Sequence, residues 1–235
     1  MTAISKISEA IKMNLPVNPV EQAHRDKMEQ QKTKLLAYKS LVEMTFDQFT
    51  SLIYMRACEI MLERGIDKPF VFDKNNTPVV QQLYLYFTNN PKCIYNLNAG
   101  IIMGGKVGCG KSLLMLSFID LMNKYSRYKT KIIHAKELMN LIKSEGITGL
   151  SSRPLFIDEL GREESTVKDF GSIVKPVTDL FSIRYEKGGR TYATTNFKYD
   201  TLETYYGEFI ISRMQEMMNY VVLPGESRRV NNGIR

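Results

Sequence analysis

The sequence predicts an α/β fold with a central parallel sheet flanked by helices, preceded by a small helical N-terminal region. Two stretches carry that expectation. In residues 100–112 a short apolar run, Ile101, Ile102 and Met103, leads into a glycine-rich loop. Leu113, Leu114, Leu116, Phe118, Ile119 and Leu121 then recur at helical spacing. In residues 154–159 an apolar strand, Leu155-Phe156-Ile157, ends in the adjacent carboxylates Asp158 and Glu159. Strand, glycine loop and helix in succession belong to α/β units whose strands run parallel.

The first stretch matches the phosphate-loop pattern G-x-x-x-x-G-K-[ST] through Gly105, Gly110, Lys111 and Ser112. From average residue usage, a chance match in a chain this long arises roughly once in a hundred sequences. The chemistry explains the residue types. Gly105, Gly108 and Gly110 free the backbone to turn its amides inward. The loop Gly105, Lys106, Val107, Gly108, Cys109, Gly110, Lys111, Ser112 can then cradle phosphate oxygens at a helix N-terminus. Lys111 is expected to reach the β- and γ-phosphates of ATP, and Ser112 to hold Mg²⁺. The carboxylate pair supplies the second half of the site. In an open parallel sheet, residues at the carboxyl ends of strands face the ligand crevice. Asp158 is expected to hold the hydrated Mg²⁺ and Glu159 to accept a proton from an attacking water.

Composition bounds the remaining possibilities. The 235 residues are 43% hydrophobic, enough for one full domain with an appendage. The net charge is +7, but residues 1–70 carry 10 basic and 9 acidic side chains and contribute only +1. The basic excess lies in the part that holds the phosphate loop, which favours a polyanionic partner. Cys58, Cys93 and Cys109 share no metal-type spacing, so a reduced cytoplasmic protein is expected. No apolar run approaches the length of a membrane span, and the N-terminus lacks a secretory apolar core.

Taken in order, residues 1–18 read as a loose or short-helical arm, with Pro16 and Pro19 interrupting. Residues 19–44 read as a polar helix with a sticky end at Leu35, Leu36, Tyr38, Leu41 and Val42. Thr45 and Gln48 form a capping box, and Phe46, Phe49, Ile53, Ala57 and Ile60 line one face of the helix that Gly65 stops. Met55 and Met61 are expected to pack. The division of the chain is expected at 1–66 and 67–235. Thr77-Pro78 opens a helix that runs to Asn89. Lys131 to His134 reads as a strand, with His134 structural, and Ala135 to Lys143 as a helix. Residues 144–153 read as a loop, and 161–171 as a polar loop. Ile173, Val174, Val177, Leu180, Phe181 and Ile183 read as the stripe of one helix that stops at Gly188-Gly189. Residues 190–196 read as a strand ending at Asn196, beside the carboxylates. Arg213 falls in a helix that Gly207 opens. Arg228 and Arg229 follow a strand over Tyr220 to Leu223.

The ordered set of motifs resembles a known family. After the phosphate loop come Ile-Asp-Glu-Leu-Gly (157–161), Leu-Phe-Ser-Ile-Arg-Tyr-Glu (180–186), Thr-Thr-Asn (194–196), Tyr-Gly-Glu-Phe-Ile-Ile-Ser-Arg-Met (206–214) and Gly-Glu-Ser-Arg-Arg (225–229). Together they resemble the AAA+ P-loop ATPases of the DnaC/IstB type, bacterial helicase loaders and transposition helper ATPases. The likeness covers about residue 77 to the end. It implies Asn196 as first sensor, Arg213 as an arginine finger acting on a neighbouring subunit, and Arg229, or else Arg228, as second sensor. It also implies self-association with ATP between subunits and contact with single-stranded DNA. A replicative helicase, or a transposase, would be the client, gripped through the N-terminal region. A nucleotide-gated adaptor with little turnover is the alternative. Residues 135–153 are short for the extra helical element of that family, and the first 65 residues lack its cysteine cluster.

Overall fold

The computed structural model describes residues 19–36, 43–163, 167–169, 172–174 and 176–229. The expectations for the arm at 1–18 and for Tyr38, Leu41 and Val42 lie outside these residues, as do those for the side chains of Leu35 and Leu36. The chain divides into two compact units, Met1–Tyr38 and Lys39–Arg235. In the first, α1 (Pro19–Leu36) is one straight polar helix. Its side chains from Pro19 to Gln30 are exposed, including Val20 and Met28, and Gln22 donates to Asp26 one turn on at 2.8 Å.

The second unit is a three-layer α/β/α body. Its helices are α2 (Phe46–Glu63), α3 (Thr77–Phe87), α4 (Lys111–Tyr125), α5 (Leu138–Leu150), α6 (Pro176–Lys187), α7 (Tyr199–Tyr206) and α8 (Glu208–Met217). The central strands are β1 (Gly100–Gly104), β2 (Lys131–His134), β3 (Leu155–Leu160), β6 (Thr191–Thr195) and β7 (Met218–Val222). They form one sheet in the order β2-β3-β6-β1-β7, with every pairing parallel. The apolar strands alternate between two cores, as a period of two demands. Ile101, Met103, Phe156, Tyr192 and Val221 enter the core beneath α2, α3 and α4. Ile102, Leu155, Ile157, Ala193 and Met218 enter the core beneath α5 to α8. Among the described residues, no helix is long and apolar enough to cross a membrane.

The capping box at Thr45 and Gln48 is formed, with bonds of 3.2 and 2.9 Å. The helix it starts belongs to the main body. Phe49 and Ile53 are fully buried, and Phe49 meets the rings of Phe87 at 5.5 Å and Phe118 at 6.4 Å. Arg56 clamps α2 to α4 through Asp120 at 2.7 Å. A boundary at 66/67 therefore runs through one packed core, and the compact units part at 38/39 instead. The amphipathic stripe of α2 was legible, but the contact to its partner, α4, spans 64 residues of sequence from Arg56 to Asp120. Met55, expected to pack, is 57% exposed because it stands opposite the buried stripe.

Three further expectations are revised. Residues 144–150 continue helix α5 past a break at Gly146 (φ 70°), because Leu150 is buried and Ile147 packs beside it. Ile173 and Val174 form no part of a helix. They lie in β5 (Ser172–Val174), paired antiparallel with β4 (Val167–Asp169) in a two-stranded ribbon. Pro176 explains this, since the residue before a proline disfavours helix and proline itself suits a first helical turn. Helix α7 was not foreseen: it buries only Leu202 and Tyr206, too few positions for a legible stripe.

Candidate nucleotide site

The phosphate loop leaves β1, between β6 and β7 in the sheet, and ends at the first turn of α4. Gly105, Gly108 and Gly110 all have positive φ, at 146°, 83° and 106°. A Cβ at Gly105 would lie 2.5 Å from the Leu223 carbonyl, and one at Gly108 would lie 2.2 Å from the Ser227 hydroxyl. The loop is therefore pressed against residues 223–227, and only glycine fits there. Arg228 continues this seam, donating its amide to the Gly108 carbonyl at 2.8 Å.

Lys111 is 5% exposed. Its Nζ donates to the carbonyls of Gly105 and Lys106 and to Oδ1 of Asn196, each at 2.8 Å. Burial pulls its pKa below the usual lysine value, opposed by Cys109, Glu159 and Asp158. Asn196 reaches the lysine because β6 stands between β1 and β3 in the sheet, which brings the end of Thr-Thr-Asn to the loop.

The carboxylates stand at an irregularity. The register of β3 against β6 shifts between Ile157 and Leu160, and Glu159 adopts φ 61° there. A bulge of this kind re-aims the side chains it carries. Thr194 joins the pair: its hydroxyl donates to Asp158 Oδ1 and accepts from the Glu159 amide at 2.9 Å. Glu159 Oε2 lies 3.2 Å from His134 Nε2 and 3.0 Å from the Arg162 guanidinium. His134, read from sequence as structural, thus faces the second carboxylate across the β2–β3 pairing.

A cavity of about 630 Å³ collects Val107 to Leu114 of the loop and helix, with Glu159, Asn196, Arg228 and Arg229. The Gly105 and Lys106 carbonyls lie behind it, on Lys111. Sequence reasoning missed the opposite wall, Arg64 to Val71, with Phe70, Leu223 and Asn76. No motif marks this wall. Its one available signal was composition, because Ile66, Pro69, Phe70 and Val71 are apolar in the segment between the helix that Gly65 stops and the one that Thr77 opens. Both arginines line the cavity, and Arg228 also pairs with Asp73 at 2.8 Å. Arg213 is not among the lining residues. It stacks on Phe209 and Tyr185, 4.1 and 5.1 Å from the ring centroids.

Among the described residues no three His, Cys, Asp or Glu side chains cluster to chelate a metal. The donors present are hard oxygens, the half-buried hydroxyl of Ser112 and the carboxylate of Asp158. That set fits Mg²⁺ shared with nucleotide phosphates, since this ion keeps most of its water and takes few protein ligands.

No family model matches the chain, and no curated protein matches it. Solved structures do. The DnaC helicase loader superposes with a TM-score of 0.53 at 18% identity, covering 66% of this chain and 93% of that one. DnaI superposes with a TM-score of 0.50 at 19% identity, covering 68% and 87%. The parallel sheet, the glycine loop that follows β1 and these two likenesses together give the chain an α/β P-loop NTPase fold, similar to that of the two solved structures.

Proposed function

We propose that this chain binds and hydrolyses Mg·ATP and uses the cycle to load a replicative helicase onto single-stranded DNA. The observation that carries the ATPase reading is the convergence of Lys111, Asn196 and Glu159 on one cavity at the carboxyl ends of β1, β6 and β3. Loop amides from Gly105 to Ser112 bind the phosphates, with Lys111 leaving Asn196 to neutralise them. Ser112 and Asp158 would hold a Mg²⁺, which would supply charge stabilisation to the phosphates. Asn196 orients the attacking water, Glu159 accepts its proton, and Arg229 faces the phosphates from the 225–229 segment. Arg213 lies off its own cavity and acts on the nucleotide of an adjacent subunit in a self-assembly. Helicase contact belongs to the N-terminal part of the chain that carries α1, and the setting is the cytoplasm. The fold shared with the DnaC helicase loader favours this client over a transposase.

Glu159→Gln removes the proton acceptor and keeps the shape. It is expected to bind ATP as the wild type does while turnover falls by about 10²–10⁴-fold. Wild-type Mg·ATP is expected to place a ring helicase on circular single-stranded DNA, and the variant to stall on the loaded complex. Equal turnover by both proteins would contradict the base assignment. Helicase loading that is indifferent to the protein would contradict the client.

A further inference from the structure

Glu159 is restrained by a neighbour on its own strand-end turn. Arg162 lies three residues on, and its guanidinium meets Glu159 Oε2 at 3.0 Å. The same oxygen faces His134 Nε2 at 3.2 Å, so Oε2 is held from two sides. The turn that presents Arg162 is itself fixed. The Arg162 amide donates to the Glu159 carbonyl at 3.1 Å. Gly161 has φ 99°, and a Cβ there would come within 2.6 Å of the Phe197 ring. Its amide donates at 2.8 Å to Oε2 of Glu163, a carboxylate only 4% exposed. The other oxygen of Glu163 takes the Tyr206 hydroxyl, and its carbonyl takes the Tyr205 hydroxyl at 2.8 Å. Burial, then the carboxylate of Glu163, pushes the Tyr206 phenol far up, so it stays a donor. Tyr206 ends α7, and after Gly207 the chain enters α8, which carries Arg213. The turn holding Arg162 is thus anchored on the segment that bears the finger.

We infer that Arg162 is a positioning residue that holds Glu159 in a resting pose, and that a shift of α7–α8 releases it. This rests on the reading of Glu159 as the proton acceptor. A carboxylate oxygen held by a guanidinium has to leave that bond before it can turn towards an attacking water. The pair is also breakable. Arg162 is 48% and Glu159 21% exposed, and ion pairs open to water are weak. A neighbouring subunit that engages Arg213 would pull on α8, and through Tyr206 and Glu163 on the turn. Hydrolysis would then wait for assembly.

The test uses the full chain without helicase or DNA. It measures kcat and KM for ATP hydrolysis, and Kd for a non-hydrolysable ATP analogue. Arg162→Ala is expected to raise kcat about fivefold, the effect of losing one half-exposed pair, with KM and Kd unchanged. Arg162→Lys keeps a charge without the fork and is expected to fall between the two. A kcat for Arg162→Ala at or below wild type overturns the lock, and so does a rise explained by tighter nucleotide binding. If Arg162→Ala fails in this way while Glu159→Gln still abolishes turnover, the lock alone is lost. If Glu159→Gln turns over at the wild-type rate, the base assignment falls and takes the lock with it.

Discussion

Lys111→Ala is expected to lose ATP binding by about two to three orders of magnitude, the cost of two charge-assisted bonds to phosphate. The structure sharpens the reason. Lys111 joins the loop carbonyls of Gly105 and Lys106 to Asn196 at the end of the neighbouring strand. Removing it deletes the phosphate contact and also the tie between loop and β6. The fold should survive, since α4 is anchored by Leu114, Met115 and Phe118 in the core. A titration with a fluorescent ATP analogue, beside a thermal melt, separates the two effects. An affinity within about threefold of wild type, on a folded protein, would contradict the site.

Arg184→Met is expected to destabilise the chain more than any surface change. Arg184 is fully buried. Its Nε donates to the Thr191 hydroxyl at 3.0 Å, and its terminal nitrogens donate to the carbonyls of Leu150, Arg153 and Arg190. The guanidinium therefore stitches α6, the end of α5 and the entries to β3 and β6 together, and Gly189 closes over it. A Cβ at Gly189 would stand 3.2 Å from its central carbon and 2.3 Å from the Ser151 carbonyl. Methionine fills similar volume but leaves these acceptors dry. The expected cost is about 3–5 kcal/mol, because each unsatisfied buried group is worth 1–3. For a chain of this size that lowers Tm by roughly 10 °C. Arg153→Ala, at an exposed arginine, is the control and should leave Tm within about 2 °C. Equal melts for the two variants would show that the buried network carries no stability.

The contrast between Arg184 and the phosphate loop explains what the sequence could reveal. The loop is legible because phosphate binding imposes glycines, lysine and hydroxyl at fixed offsets. The pair Asp158-Glu159 is legible because the apolar run Leu155–Ile157 stops at it. Arg184 carries no such signature. It read as the last turn of a helix, and only the packing of Gly189 and residues 150–153 turns it inward. The wall from Arg64 to Val71 was hidden for a similar reason, since a loop brought over a cavity by tertiary contacts has no periodicity. The strands β4 and β5 were misread because Ile173 and Val174 continue the apolar stripe of α6 in sequence, and the proline after them was given too little weight. Helix α2 was seen as a helix but assigned to the wrong body. Its stripe says that it packs, not against what.

In the proposed cycle, main-chain amides at 105–112 and the groups on β3 and β6 close on one triphosphate. A crystal structure of the full chain grown with Mg²⁺ and a non-hydrolysable ATP analogue would show this closure. The expected result places the phosphates inside the loop, with Lys111 Nζ moved from Asn196 onto them and Asp158 and Glu159 facing the γ end. A structure in which Lys111 keeps its bonds to Gly105, Lys106 and Asn196 while the analogue sits elsewhere would contradict it.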